Sequence, residues 1–94
     1  MKRFNWNPEK NLQLQQQRGI SFEEVVFHIE NGGLLDVLEH PNQTKYQRQR
    51  LYVVAVDKYA YIVPFVDGEA EIFLKTIFPS RKYTKLYFNR EINE

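Results

Sequence analysis

Hydrophobic and polar positions change their period several times along the chain, and each change marks an element. Residues 51–56 (LYVVAV), 59–66 (YAYIVPFV) and 70–78 (AEIFLKTIF) are dense in Val, Ile, Tyr and Phe. Those residue types fill a pleated, half-buried surface. Only Asp57-Lys58 and Asp67-Gly68-Glu69 separate the three runs. Gaps that short exclude a crossover helix, so the pattern predicts three antiparallel strands in a meander. Asp67-Gly68 is the stronger turn signal, because Gly accepts the positive φ of a tight hairpin.

The N-terminal half has a different rhythm. Residues 2–6 alternate, with Phe4 and Trp6 on one side, and predict a short first strand. Asn7-Pro8-Glu9 is a helix start, with a capping Asn, Pro at the first helical position and Glu at the positive helix end. That helix runs to Gly19, a good stop residue. Ser21 and Glu24 have the spacing of a capping box, and Ile20 and Val25 that of a hydrophobic staple. Phe22, Val25, Val26 and Ile29 follow at i, i+3, i+4 and i+7, an apolar stripe for packing on a sheet. Asn31-Gly32-Gly33 ends this second helix. The break at Gly19 is so short that the two helices are expected as a bent pair on one face of the sheet.

Residues 34–38 (LLDVL) predict a further strand, ended by Glu39-His40-Pro41-Asn42. The polar, basic connection 43–49 is long for a hairpin and reads as a functional loop. After Pro79, Ser80 predicts the N-cap of a short terminal helix over residues 81–90. On that helix Arg81 and Lys85 share a face with Lys82 close by, while Tyr83, Leu86 and Tyr87 dock on the sheet. An extended tail of alternating Tyr and Lys is the competing reading. The fold class expected is therefore α+β: an antiparallel meander, two N-terminal helices on one face, and a short C-terminal basic helix.

Composition narrows the function classes. Ninety-four residues suit a single domain over 1–94, near the low end of what buries its own core, and seven Phe, six Tyr and one Trp supply large apolar area. There is no Cys, hence no disulfide framework and no thiolate chemistry. No apolar run reaches the roughly 18–20 residues of a membrane helix, and MKRFNWNP lacks the apolar core of a signal peptide. A cytoplasmic protein without membrane contact is expected.

The net charge of +1 matters less than its distribution. From Phe22 to Glu39 there are five acidic residues and no Lys or Arg. From His40 to Arg50 there are three basic residues and no acid, and from Leu74 to Arg90 five basic residues and no acid. A chain polarised in this way presents a positive face to phosphate and another face to a protein partner. Solvated surface charge is the plain alternative.

No HExxH, GxSxG, P-loop or dinucleotide fingerprint is present. His28 and His40 lack ligand spacing, so no metal and no cofactor is expected. His40, beside the basic loop, has acid–base chemistry near neutral pH. The remaining candidates are Arg50, Lys75, Arg81, Lys82 and Lys85 with Tyr46, Tyr83 and Tyr87, joined in the loop by Lys45 and Arg48. Metal-free RNA cleavage needs a group that accepts the 2′-hydroxyl proton, cations that hold the pentavalent phosphate, and an acid for the 5′-oxygen. Clustered Lys, Arg and Tyr meet those needs, and tyrosines among cations stack on unpaired bases. Lys75 interrupts the apolar run IFLKTIF, where strand alternation puts it on the same face as Phe73 and Ile77. A charge that guards an edge strand is the other reading of Lys75.

In order and wording, FNWNPEKN, RGISFEEVV, RLYVVAV, YAYIVPFV and SRKYTKLY resemble the BrnT-like toxins of bacterial type II toxin–antitoxin systems. That family opens with a pattern like F-x-W-D-P-x-K-x-x-x-N, continues with H/R-G-[IV]-S/D-F-E-E and closes with I-S-A-R-x-A-T-x-x-E. Phe4, Trp6, Pro8 and Lys10 match the first pattern, with Asn7 in place of Asp. Residues 18–24 (RGISFEE) match the second. Arg81 and Thr84 match the arginine and threonine of the third, with Lys82 and Lys85 at similar basic positions. Pro79 and Tyr87 depart from it, Tyr87 standing where the closing Glu is expected.

The resemblance implies a RelE-like fold and a metal-independent endoribonuclease toxin that inhibits translation. It implies a small ribbon-helix-helix antitoxin as partner, operator DNA bound only through the complex, and a heterotetramer of two toxins with two antitoxins. The resemblance carries over Arg81 and its basic neighbours to RNA contact; joined with Lys75 and His40 from the residue reading above, the expected catalytic set is Arg81, Lys85, Lys75 and His40. The expected RNA-binding set is Arg50, Lys82, Tyr83, Tyr46, Lys45 and Arg48. The groove is expected between the 43–50 loop, Lys75 and the 81–85 turn, with the antitoxin on the two helices or on the sheet face they leave open. The alternative function is a non-catalytic, toxin-derived module that acts with a DNA-binding partner in autoregulation.

Overall fold

The computed structural model describes residues 2–45 and 49–88. In chain order the elements are β1 (Arg3–Trp6), α1 (Pro8–Arg18), α2 (Phe22–Glu30), β2 (Leu34–Glu39), β3 (Gln49–Val56), β4 (Tyr59–Asp67), β5 (Glu71–Leu74), β6 (Phe78–Pro79) and α3 (Arg81–Tyr87). The two longest apolar strands pair with each other. β3 and β4 run antiparallel from Gln49↔Val66 to Val56↔Tyr59. Asp57 and Lys58 close this hairpin with φ of 53° and 64°, the two consecutive left-handed residues of a type I′ turn.

The strand order is β1-β5-β4-β3-β2, with β6 paired to β4 beside that path. The sheet is mixed, which corrects the expectation of an antiparallel sheet throughout: β1 lies parallel to β5, from Arg3↔Glu71 to Trp6↔Leu74. Two helices and three strands intervene, and a connection of that length reaches the far edge in either direction. The run 70–78 is also not one strand. β5 pairs with β4 at Phe65↔Leu74 and β6 at Tyr61↔Pro79, a register slipped by one residue. The extra residue behaves as a bulge does. It lets Leu74 and Ile77, three apart, both bury on the same side. Lys75 is thereby outside the strand and exposed, not aligned with Ile77.

Cross-strand partners share a face, so the register assigns the two layers. Tyr52, Val54, Val56, Val63 and Phe65 face α1 and α2 and form the main core with Leu14, Ile20, Phe22, Val25, Leu74 and Ile77. Aromatic pairs seal it: Tyr52 stacks on Phe65 at 3.9 Å between centroids and Trp6 on Phe22 at 5.6 Å. On the reverse face Val53, Ala60 and Ile62 pack with Leu35, Leu38, Leu51 and Tyr83. The terminal helix therefore lies on the opposite side of the sheet from α1 and α2.

Local signals explain the helix starts. Asn7 Oδ1 accepts from the amides of Glu9 and Lys10 (2.8 and 3.1 Å), and Gly19 ends α1 with φ of 68°. Ser21 and Glu24 form the reciprocal capping box. The elbow between α1 and α2 is fixed by buried Asn11, whose Oδ1 accepts from Phe22 N (2.7 Å) while Nδ2 donates to Glu23 Oε1 (2.8 Å). α3 ends at Tyr87, and the remainder of the expected span to Arg90 lies outside the described residues. Tyr83 docks as expected, but Leu86 does not: it is 66% exposed. Among the described residues, no helix is long and apolar enough to cross a membrane.

Candidate nucleic-acid interface

The cations of α3 owe their position to two hydroxyl groups. Ser80 caps the helix, its Oγ accepting from Tyr83 N at 3.2 Å, and its own N–H donates to Ala60 O at 2.9 Å. Thr84, 1% exposed, accepts from Ala60 N at 2.9 Å and donates to Ser80 O at 2.6 Å. A seven-residue helix has little stability of its own. These bonds and the insertion of Tyr83 hold it against β4. With Thr84 and Tyr83 inward, Arg81, Lys82 and Lys85 occupy one outer arc of the helix, all exposed. Lys82 Nζ lies 5.3 Å from the Tyr83 ring centroid, a cation–π contact.

Two features of this arc stand out electrostatically. No ion pair engages Arg81, Lys82 or Lys85 among the described residues. Arg81 and Lys82 also fill the first turn, which contains no acid, although the helix dipole disfavours cations there. The fold itself gains nothing from that placement. An anion laid along the arc would.

The other candidates do not converge on α3. Arg50 is on the α1/α2 face, because it pairs with Phe65. Ala60, to which α3 is tied, lies five residues further along β4, roughly 17 Å. Arg50 is also committed to acids: its Nε is 3.8 Å from Glu39 Oε2 and its Nη1 3.8 Å from Asp67 Oδ2. Lys2 pairs with the same Asp67. Glu39, Arg50, Asp67 and Lys2 thus alternate in sign across the end of the sheet, which is a structural use of Arg50. Its buried Nε has no hydrogen-bond partner among the described residues.

Lys75 borders an open hollow against α1 with Asn7, Lys10, Gln13 and Gln16. His40 follows β2 at the Arg50 end of the sheet. Its Nδ1 accepts from Asn42 N (3.0 Å) and its carbonyl from Gln43 Nε2 (2.8 Å). The ring therefore holds a turn together, and Lys45 N extends that turn by donating to Asn42 Oδ1 (3.1 Å). Tyr46 and Arg48 lie outside the described residues. Among the described residues, Lys75, against α1, and Arg50, on the α1/α2 face, lie across the sheet from the 81–85 turn and do not share a groove with it. What the residues bring together is Arg81, Lys82, Tyr83 and Lys85, with Tyr87 partly exposed at the helix end.

Sequence reasoning placed Ser80 as the cap of α3, as found, but missed the bonds by which Ser80 and Thr84 tie the helix to Ala60, and missed Asn11 at the helix elbow. Their hydroxyl and amide side chains carry no periodic signal. No group of three or more His, Asp and Glu placed to hold a metal occurs among the described residues. Comparison with protein-family models, with curated proteins and with solved structures returns no match.

Proposed function

We propose that this chain is the toxin of a type II toxin–antitoxin pair, a BrnT-like, RelE-like endoribonuclease that works without metal and inhibits translation. The observation that carries the reading is the arc of α3. Arg81, Lys82 and Lys85 are exposed, in no ion pair among the described residues, and set partly against the helix dipole. The motif resemblance falls on the same element, and it adds Thr84, whose buried hydroxyl ties the arc to the sheet.

In this mechanism the substrate's own 2′-hydroxyl is the nucleophile. It attacks the adjacent phosphorus, its proton passes to a basic group, and the 5′-oxygen leaves with a proton, giving a 2′,3′-cyclic phosphate. Arg81 holds the equatorial oxygens, since a guanidinium keeps its charge and offers paired donors. Lys85, one turn on, completes the charge stabilisation. Tyr87, partly exposed at the helix end, offers its ring to an unpaired base, while Tyr83 anchors the helix on the sheet. A small ribbon-helix-helix antitoxin neutralises the toxin, and operator DNA is bound only through that complex.

One observation favours the non-catalytic module instead: His40 and Lys75 stand apart from α3, leaving Lys, Arg and Tyr as its only proton-transfer groups. Inducible expression of the chain alone separates the readings. Growth arrest with RNA fragmentation within minutes, absent in the Arg81→Ala/Lys85→Ala variant, is the expected result. Normal growth with a folded, soluble product would move the assignment to the binding module.

A further inference from the structure

The side of the molecule opposite α3 has its own unexplained feature. Phe27 is 60% exposed, on the flank of α2 away from buried Phe22 and Val25. Its ring is set edge-on to His28, with centroids 5.4 Å apart and planes at 86°. Asn31 Nδ2 donates to the Phe27 carbonyl at 2.7 Å. Helical spacing puts Glu23 and Glu24 one turn before Phe27 and Glu30 one turn after it. No ion pair engages any of the three acids among the described residues.

Two of these carboxylates have local duties. Glu23 accepts from Asn11, and Glu24 closes the capping box. Both also sit near the helix N-terminus, where negative charge is favoured. Glu30 borders a hollow that Lys2 and Arg3 also line. It stands in the last turn of α2, where the dipole disfavours an anion. An aromatic ring left mostly in water contributes little to this fold.

We propose that the outer face of α2, centred on Phe27 and rimmed by Glu23, Glu24 and Glu30, is a docking surface for a cationic protein. Phe27 enters an apolar socket, and the carboxylates meet Lys or Arg on its rim. Aromatic anchors encircled by polar residues carry much of the energy of such interfaces. Charge decides the occupant. α2 carries three acids and no Lys or Arg, with Lys2 and Arg3 only along the hollow at its Val26–Glu30 edge, so its outer face disfavours nucleic acid and acidic proteins. A two-fold pairing of Phe27 with Phe27 of a second copy would bring both sets of carboxylates together, which electrostatics opposes. A partner seated here leaves α3 uncovered, because the sheet lies between them. The proposal stands apart from the RNA reading.

The test is an amide-shift titration of the nitrogen-15-labelled full chain with two synthetic amphipathic helical peptides. They share leucine positions, one carrying lysines and the other glutamates at the polar positions. The lysine peptide should shift α2 amides around Phe27, and its affinity should fall at least about tenfold in Phe27→Ala, as for an interface anchor. Phe27→Leu should keep most of that affinity, and Glu30→Gln should weaken it. The glutamate peptide should leave α2 unmoved. The Arg81→Ala/Lys85→Ala variant should bind the lysine peptide like the parent, which separates this result from any failure of the RNA reading. Absence of lysine-peptide binding at millimolar concentration, indifference to Phe27→Ala, or shifts confined to other elements would overturn the proposal. So would concentration-dependent shifts at Phe27 without peptide, which would assign the surface to a second copy.

Discussion

Thr84 shows how one side chain governs the position of several others. Its hydroxyl receives the Ala60 amide and donates to the Ser80 carbonyl, at a site that is 1% exposed. Thr84→Val removes the hydroxyl but keeps the shape, leaving a buried amide without its acceptor. That should cost about 1–3 kcal/mol in urea unfolding, while Thr84→Ser should recover most of it. A loss under about 0.5 kcal/mol, typical of surface changes, would contradict the clamp. The same residue marks a limit of sequence reading. The cations beside it were legible as a charge run, but the bonds that aim them depend on Ala60, 24 positions away. Gly33 is a second such position. A Cβ there would meet His28 O at 2.8 Å and Ala55 O at 3.0 Å, both backbone atoms that cannot swing aside. Gly33→Ala should therefore destabilise by about 1–3 kcal/mol, the usual range for overpacking, and a neutral result in thermal unfolding would contradict this contact.

At the scale of elements, what the sequence made plain was what depends on near neighbours. The capping box at Ser21 and Glu24, the Asn7 cap and the stripe of α2 are all set within one or two turns. What it hid was set by partners far along the chain. β1 is parallel because it lies beside β5, and Lys75 is exposed because the register slips between β5 and β6. Alternation within IFLKTIF contains no sign of that slip. Both edge strands also carry a guard that only the structure reveals. Asn5 Oδ1 accepts from Trp6 N in β1, and Asp36 Oδ1 accepts from Val37 N in β2, each at 2.8 Å. Side chains that occupy an edge amide blunt edge-to-edge pairing. The Asn5→Ala/Asp36→Ala variant should self-associate at concentrations where the parent does not. Equal sedimentation behaviour of the two across a concentration series would remove that role.

The whole molecule is a sheet with α1 and the acidic α2 on one side and the basic α3 on the other, and its stability has a pH signature. Burial raises the Tyr52 phenol above its ordinary value of 10.0, helped by nearby Asp67 and opposed by Arg50. Burial likewise raises Tyr61, with Tyr59, Asp57 and Glu24 adding to it. A raised folded-state value means that the unfolded chain ionises first. The stabilisation is intact below pH 10 and is lost as pH climbs through 10 toward the folded-state values. Unfolding free energy should fall above about pH 10, and the Tyr52→Phe/Tyr61→Phe variant should show a shallower fall than the parent. A fall just as steep in that variant would contradict this assignment.

The claim on which the account turns is that the arc of α3 works on RNA. The most direct test incubates the purified chain with single-stranded RNA in excess chelator, beside the Arg81→Ala/Lys85→Ala variant. The parent should yield fragments ending in 2′,3′-cyclic phosphate, and the variant none, with unfolding free energies equal to within about 0.5 kcal/mol because both positions are exposed. RNA left intact by the parent, or cut equally by the folded variant, would contradict the account.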